Sequence, residues 1–148
     1  MRKALFIDRD GTINRDCPYC HSLSQLEIYP DIPKVIREYN DKGYLVVVVS
    51  NQSGIGRGYF TKDECDAFNE EIRRRLKEKG ARIDAFYYCP HRPEENCRCR
   101  KPGTGLVENA SRDLSIDVSG SFVIGNDDAI DGEMARRLGI KYRIIQRD

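Results

Sequence analysis

Ala4-Leu5-Phe6-Ile7-Asp8-Arg9-Asp10-Gly11-Thr12 opens with four apolar residues and breaks abruptly into two carboxylates around an arginine. Four apolar residues in a row ending in a turn signal predict a strand buried on both faces. Tyr44 to Val49, with four consecutive valines, ends the same way at Ser50 and Asn51. Further apolar runs at Ala85 to Tyr88, Phe122 to Ile124 and Tyr142 to Ile145 bring the expected strands to five.

Helical patterns separate them. Asp31 to Lys42 carries Val35, Ile36 and Tyr39 at helical spacing and closes on Gly43. Thr61 to Lys79 starts with the capping box Thr61-Lys62-Asp63-Glu64 and closes on Lys77, Lys79 and Gly80. Shorter helices fit Gly105 to Leu114 and Ile130 to Leu138. Strands alternating with helices predict an α/β fold, a single doubly wound, mostly parallel five-stranded sheet with helices on both faces. In 148 residues there is room for one domain, 1–148, and little for a second.

Lys and Arg number 25 against 24 Asp and Glu, and no block of like charge marks a nucleic-acid or membrane footprint. The run Arg73-Arg74-Arg75 sits among Glu70, Glu71 and Glu78, as a solvated helix face would. The N-terminal apolar run is too short for a signal peptide, and no later run could span a bilayer. These features predict a soluble, cytoplasmic protein, with a monomer as the default because no exposed apolar stripe is evident.

A ligand of such a sheet sits outside the carboxyl ends of the strands, where strand order reverses. The first strand delivers Asp8 and Asp10 there, the second Ser50-Asn51-Gln52-Ser53, and the fourth Gly125-Asn126-Asp127-Asp128 followed by Asp131. Carboxylates converging on one edge repel unless a cation lies between them, and oxygen donors suit magnesium. Ser50 and its neighbours add hydroxyl, amide and backbone donors suited to a phosphate. Lys101 supplies the positive charge a transferring phosphoryl group needs. An isolated Asp-x-Asp-Gly would more simply be a turn; the ordered set argues against that.

Cys89, His91, Cys97 and Cys99 offer three thiolates and an imidazole, the complement of a closed structural zinc site. With every position filled, zinc in a loop at 89–99 would order the chain and fix where Arg100 and Lys101 point. Reduced surface cysteines are the plainer alternative. A zinc ribbon for nucleic acid would want paired knuckles and a basic face, and neither is evident. Cys17, Cys20 and His21 supply only three ligands and are read as ordinary residues, and Cys65 as a small buried one.

Asp-x-Asp-Gly-Thr, Ser50, Lys101 and the acidic cluster, in that order, resemble the four motifs of haloacid dehalogenase superfamily phosphatases. The resemblance implies that Asp8 attacks phosphorus, that Asp10 is the general acid and base, and that Ser50 and Lys101 stabilise the phosphoryl group. It also implies magnesium held by Asp8, the Asp10 carbonyl and a fourth-motif acid. The family usually places Asp directly after the glycine, whereas here Asn126 intervenes as though one residue were inserted. The usual spacing of four before Asp131 selects Asp127, with Asp128 as a possible neighbour.

Cys-Pro-His-Arg-Pro-Glu followed by Cys-Arg-Cys-Arg-Lys-Pro is similar to the heptose bisphosphate phosphatase and histidinol phosphatase branch, which carries zinc here and has no large cap domain. The stretch from Asn51 to Thr61, and Asp10 to Asp16 with Tyr19 and His21, resemble the heptose enzymes. That resemblance implies a small phosphorylated metabolite, first D-glycero-D-manno-heptose 1,7-bisphosphate cleaved at the 7-phosphate and second histidinol phosphate. Substrate contacts are expected from Asp16, Tyr19, Asn51, Gln52, Ser53 and Arg100, with the Arg100 fork suited to the uncleaved phosphate. The contrasting class is a non-catalytic zinc-stabilised binding module.

Overall fold

The computed structural model describes residues 1–147; Asp148, the last residue of the expected domain, lies outside the described residues. Five strands form one sheet among the described residues: β1 Ala4–Ile7, β2 Leu45–Asn51, β3 Ala85–Cys89, β4 Phe122–Gly125 and β5 Lys141–Ile144. Their order is β3-β2-β1-β4-β5 and every pairing is parallel, so the mostly parallel sheet expected is wholly so. Ile7 faces Val48 on one side and Ile124 on the other. That register ends β1, β2 and β4 at the same edge, with the switch in winding direction at β1.

Side chains alternate across the sheet. Leu5, Ile7, Val46 and Val48 pack under α1 (Ile32–Asp41) and α3 (Lys62–Glu78), against Ile32, Ile36, Phe68, Ile72 and Leu76. Ala4, Phe6, Val47, Val49 and Val123 pack on the other face with Leu106, Val107 and Ala110 of α4 (Gly105–Leu114) and Met134 and Ala135 of α5 (Glu133–Leu138). A strand buried on both sides has no polar face to show, which is why β1 and β2 read as unbroken apolar runs.

The expected boundaries hold where capping chemistry sets them. Glu64 N–H donates to Thr61 Oγ1 at 3.1 Å and Thr61 N–H to Glu64 Oε1 at 2.9 Å, closing the capping box of α3. Gly43 and Gly80, at φ of 83° and 78°, end α1 and α3 in the left-handed conformation that glycine adopts without strain. Two details were not expected. A one-turn helix, α2 (Ser53–Gly56), follows β2 directly, and the helix expected from Ile130 begins instead as a π-turn over Asp128–Gly132 before α5. A π-turn is a helical turn widened by one residue, and this one lies in the segment where the family resemblance implied an added residue. The Arg73 to Arg75 run pairs with Glu70, Glu71 and Glu78 along the exposed side of α3. No helix among the described residues is long and apolar enough to cross a membrane.

Candidate active site and metal centre

A cavity of about 300 Å³ opens at the shared strand edge, lined by Asp8, Asp10, Lys101, Asn126, Asp127 and Asp131 among others. Asp8, at the end of β1, is 8% exposed. Its Oδ1 accepts from Lys101 Nζ at 2.8 Å and its Oδ2 from Thr12 Oγ1 at 3.1 Å. Burial pushes the Asp8 carboxyl up to about 6; Asp131 adds to the rise and Lys101 opposes it.

Lys101 Nζ also donates to Asp131 Oδ1 and to the Val49 carbonyl, each at 2.8 Å. All three ammonium protons therefore have acceptors. Burial works against its charge, but Asp8 and Asp131 more than offset that, and the ammonium is held above its ordinary value. One cation faces two carboxylates, and Asp127 lies on the same cavity wall, so the pocket carries an excess of negative oxygen donors. That donor chemistry fits a hard divalent cation.

Asp131, placed in the sequence among the strand-end carboxylates but given no role of its own, is 2% exposed and bonds to Lys101. Its Oδ2 also accepts from the backbone N–H groups of Asn126 and Asp127 at 3.2 and 3.3 Å. A Cβ at position 125 would collide with this carboxylate, which accounts for Gly125 at the end of β4. The π-turn hangs from the Asp127 carbonyl, which accepts from Asp131 N–H at 2.7 Å and Gly132 N–H at 3.4 Å. Asp127 and Asn126 both line the cavity; the Asp127 side chain caps the turn through Ala129 N–H at 3.0 Å, and Asn126 Oδ1 accepts from Thr12 Oγ1 at 3.4 Å.

Asp10 lines the cavity with both carboxylate oxygens hydrogen bonded, to Arg9, Asn14 and Gln52. The Ser50 hydroxyl is buried and accepts from Gln52 Nε2 at 3.3 Å. Asn51 and Gln52, expected to contact substrate, line the cavity and are also hydrogen bonded within the protein. Asn51 bonds the Lys101 backbone in both directions, and Gln52 bridges Asp10 and Arg9. Neither was legible as a brace, because Asn51 and Lys101 are 50 residues apart.

Asp16, Tyr19, Ser53 and Arg100, expected to contact substrate, also line the cavity. Burial, then Asp10, raises the Asp16 carboxyl. Tyr19, left-handed at φ 53°, stacks edge-on with Tyr59 at 4.7 Å. One buried guanidinium nitrogen of Arg100 has no protein partner.

The Cys89, His91, Cys97 and Cys99 donors all lie within 4.8 Å of one another. His91 offers Nδ1, which is 3.4 Å from Cys89 Sγ and 3.3 Å from Cys99 Sγ. Burial raises Cys89 and Cys99, whereas at Cys97 hydrogen bonds from Cys89 and the Arg100 backbone overcome burial and bring the thiol down to about 7. Three sulfurs and a nitrogen in one cluster fit a closed tetrahedral zinc site. Cys17 and Cys20, read as ordinary residues, are instead joined as a disulfide; a three-residue separation brings the two Cα atoms to 5.4 Å. His21 is no ligand there and stacks on Phe60 at 5.1 Å. Cys65 is fully buried, as expected.

The family described as polynucleotide kinase 3 phosphatase matches residues 14–140. A probable D-glycero-D-manno-heptose-1,7-bisphosphate 7-phosphatase of Thermoplasma acidophilum is 52% identical over 143 residues, 97% of this chain and 89% of that protein. The D-glycero-beta-D-manno-heptose-1,7-bisphosphate 7-phosphatase of Haemophilus ducreyi is 39% identical, over 99% of this chain and 84% of its own. Among solved structures, D,D-heptose 1,7-bisphosphate phosphatase from B. bronchiseptica, complexed with magnesium and phosphate, superposes with a TM-score of 0.87 at 29% identity, covering 96% of this chain and 79% of that one. Matched over nearly its whole length by these proteins, and sharing their sheet, the chain belongs to the haloacid dehalogenase-like phosphatases, in the branch of the heptose 1,7-bisphosphate 7-phosphatases.

Proposed function

We propose that this chain is a magnesium-dependent phosphatase that hydrolyses the 7-phosphate of D-glycero-D-manno-heptose 1,7-bisphosphate through a phosphoaspartate on Asp8. The observation that carries the reading is the buried Lys101 ammonium, 2.8 Å from Asp8 in a cavity that Arg100 also lines. Relatives named for that reaction, at 52% and 39% identity, favour heptose bisphosphate over histidinol phosphate.

In the first half-reaction an Asp8 oxygen forms a bond to phosphorus while the bond to the sugar oxygen breaks, and Asp10 gives that oxygen its proton. In the second, Asp10 takes a proton from water, the water oxygen attacks phosphorus, and the bond to Asp8 breaks to release phosphate. Lys101 neutralises charge on the phosphoryl oxygens, and Ser50 stabilises them with its hydroxyl. Asp8, the Asp10 carbonyl and Asp127 would hold magnesium, which when bound screens the phosphoryl oxygens from the carboxylates. Arg100, with an unpartnered nitrogen, suits the phosphate that stays, and Asp16, Tyr19 and Ser53 the sugar.

Zinc at Cys89, His91, Cys97 and Cys99 is structural in this reading. The whole chain acts as one phosphatase domain, a cytoplasmic monomer whose partner is a small sugar phosphate rather than nucleic acid or membrane. The near balance of 25 basic and 24 acidic residues and a cavity of about 300 Å³ support that. The test is phosphate release with magnesium from heptose 1,7-bisphosphate and from histidinol phosphate, using wild type and Asp8→Asn. Faster turnover of the heptose, abolished in the variant, supports substrate and nucleophile together. Preference for histidinol phosphate moves the substrate, and an active Asp8→Asn variant refutes the mechanism.

A further inference from the structure

Arg9 stands between the two acids of the first motif and has no exposed surface. A buried guanidinium is tolerated only when its N–H groups find acceptors. Nε donates to Asp10 Oδ1 at 3.0 Å, and Nη2 donates to Asp10 Oδ2 at 3.0 Å, to the Cys20 carbonyl at 3.0 Å and to Gln52 Oε1 at 3.2 Å. Nη1 donates to Asn69 Oδ1 at 3.0 Å on α3, whose Phe68 ring lies 4.5 Å from the guanidinium carbon. The side chain thus turns back on its own neighbour and grips both oxygens of Asp10 in a fork.

Two amides complete the shell: Asn14 Nδ2 reaches Asp10 Oδ1 at 3.0 Å, and Gln52 Nε2 reaches Oδ2 at 2.9 Å. A carboxylate offers about four lone-pair sites, and here four donors occupy them. Of the three donor residues only Gln52 lines the cavity; Arg9 and Asn14 are fully buried behind the carboxylate.

We propose that Arg9 is a positioning residue for Asp10, locking the plane of its carboxylate to α3 and to the loop at Cys20, while Gln52 is the donor that turns away when a proton must be exchanged. The inference rests on the role given to Asp10 above. In the first half-reaction the proton passes from Asp10 to the departing sugar oxygen as the phosphorus–oxygen bond breaks. That transfer needs the carboxyl aimed at the oxygen, and the guanidinium fork sets the aim. Lysine can replace the charge but not the two parallel bonds.

The test compares wild type, Arg9→Lys and Asn69→Leu on two phosphate esters: p-nitrophenyl phosphate, whose leaving group departs without a proton, and the alkyl phosphate that wild type hydrolyses fastest. The readout is the ratio of the two kcat/KM values, which reports the phosphorylation step and does not depend on the fraction of enzyme folded. Arg9→Lys is expected to lower kcat/KM on the alkyl phosphate by roughly 10²-fold, leaving p-nitrophenyl phosphate within a few-fold. Asn69→Leu, which removes one acceptor behind Arg9, should move the ratio the same way by less, and decides the matter if Arg9→Lys does not fold. An unchanged ratio in the folded variants overturns the positioning role and leaves the phosphatase reading intact. A wild type inert on every phosphate ester overturns the phosphatase reading and this inference with it.

Discussion

The Asn51 side chain holds the Lys101 backbone at both its polar groups: Asn51 Nδ2 donates to the Lys101 carbonyl at 3.1 Å, and the Lys101 N–H donates to Asn51 Oδ1 at 2.9 Å. The end of β2 therefore fixes the residue whose ammonium lies between Asp8 and Asp131. Asn51→Ala should leave two peptide groups unpaired, destabilise the fold by roughly 1–3 kcal/mol, and reduce kcat on the order of 10²-fold through misplacement of the ammonium. Chemical denaturation and steady-state kinetics check the two parts separately.

The zinc cluster sits on the same support. The Gln52 N–H donates to the Cys89 carbonyl at 2.7 Å, and Cys99 is two residues from Lys101. Cys99→Ser should therefore lower bound zinc and thermal stability and, without touching the substrate, cost roughly 10–100-fold in activity. Zinc content by atomic emission, read beside Tm and kcat, tests this. Full activity in a zinc-free variant would contradict it.

Asp8 predicts a pH effect of definite sign. Its carboxyl stands at about 6 in the folded chain, against about 4 in an unfolded one. The folded state thus binds the proton more tightly, so stability falls as pH rises from about 4 to 6 and the deficit persists above that. Asp8→Asn should be inactive with magnesium present and yet, in magnesium-free buffer, melt higher than wild type at pH 8, with the difference closing toward pH 4. Thermal melts across that range suffice, and a variant that melts lower at pH 8 would sink the idea.

Gly125→Ala should press on the Asp131 carboxylate, which lies where the new Cβ would be. Overpacking of this kind costs roughly 1–3 kcal/mol. Because Asp131 shares Lys101 with Asp8, kcat should fall along with Tm, whereas Gly139→Ala, with nothing near its Cβ, should lower Tm alone. That pair of variants separates general glycine strain from disturbance of the ion pair.

The fold was legible because its strands are unbroken apolar runs and its main helix is marked by caps, both of which are local signals. The cavity residues were legible as strand-end polar groups in order along the chain. What escaped reading was the cross-bracing. Arg9, Asn51 and Gln52 are braced by partners 42 to 60 residues away, which no local pattern marks. The Cys17–Cys20 disulfide escaped because two cysteines three apart are equally consistent with free thiols.

The widened turn at Asp128–Gly132 lets one added residue be absorbed between β4 and α5 while Met134 and Ala135 keep their seats in the core. Length change is thereby uncoupled from core register in the segment that carries Asp127 and Asp131. Insertions and deletions there would rotate donors about the cavity by roughly a quarter turn each, a coarser adjustment than any side-chain exchange and one the rest of the molecule need not feel. The fourth-motif loop is in that sense a place where ligand geometry is set by counting residues rather than by choosing them.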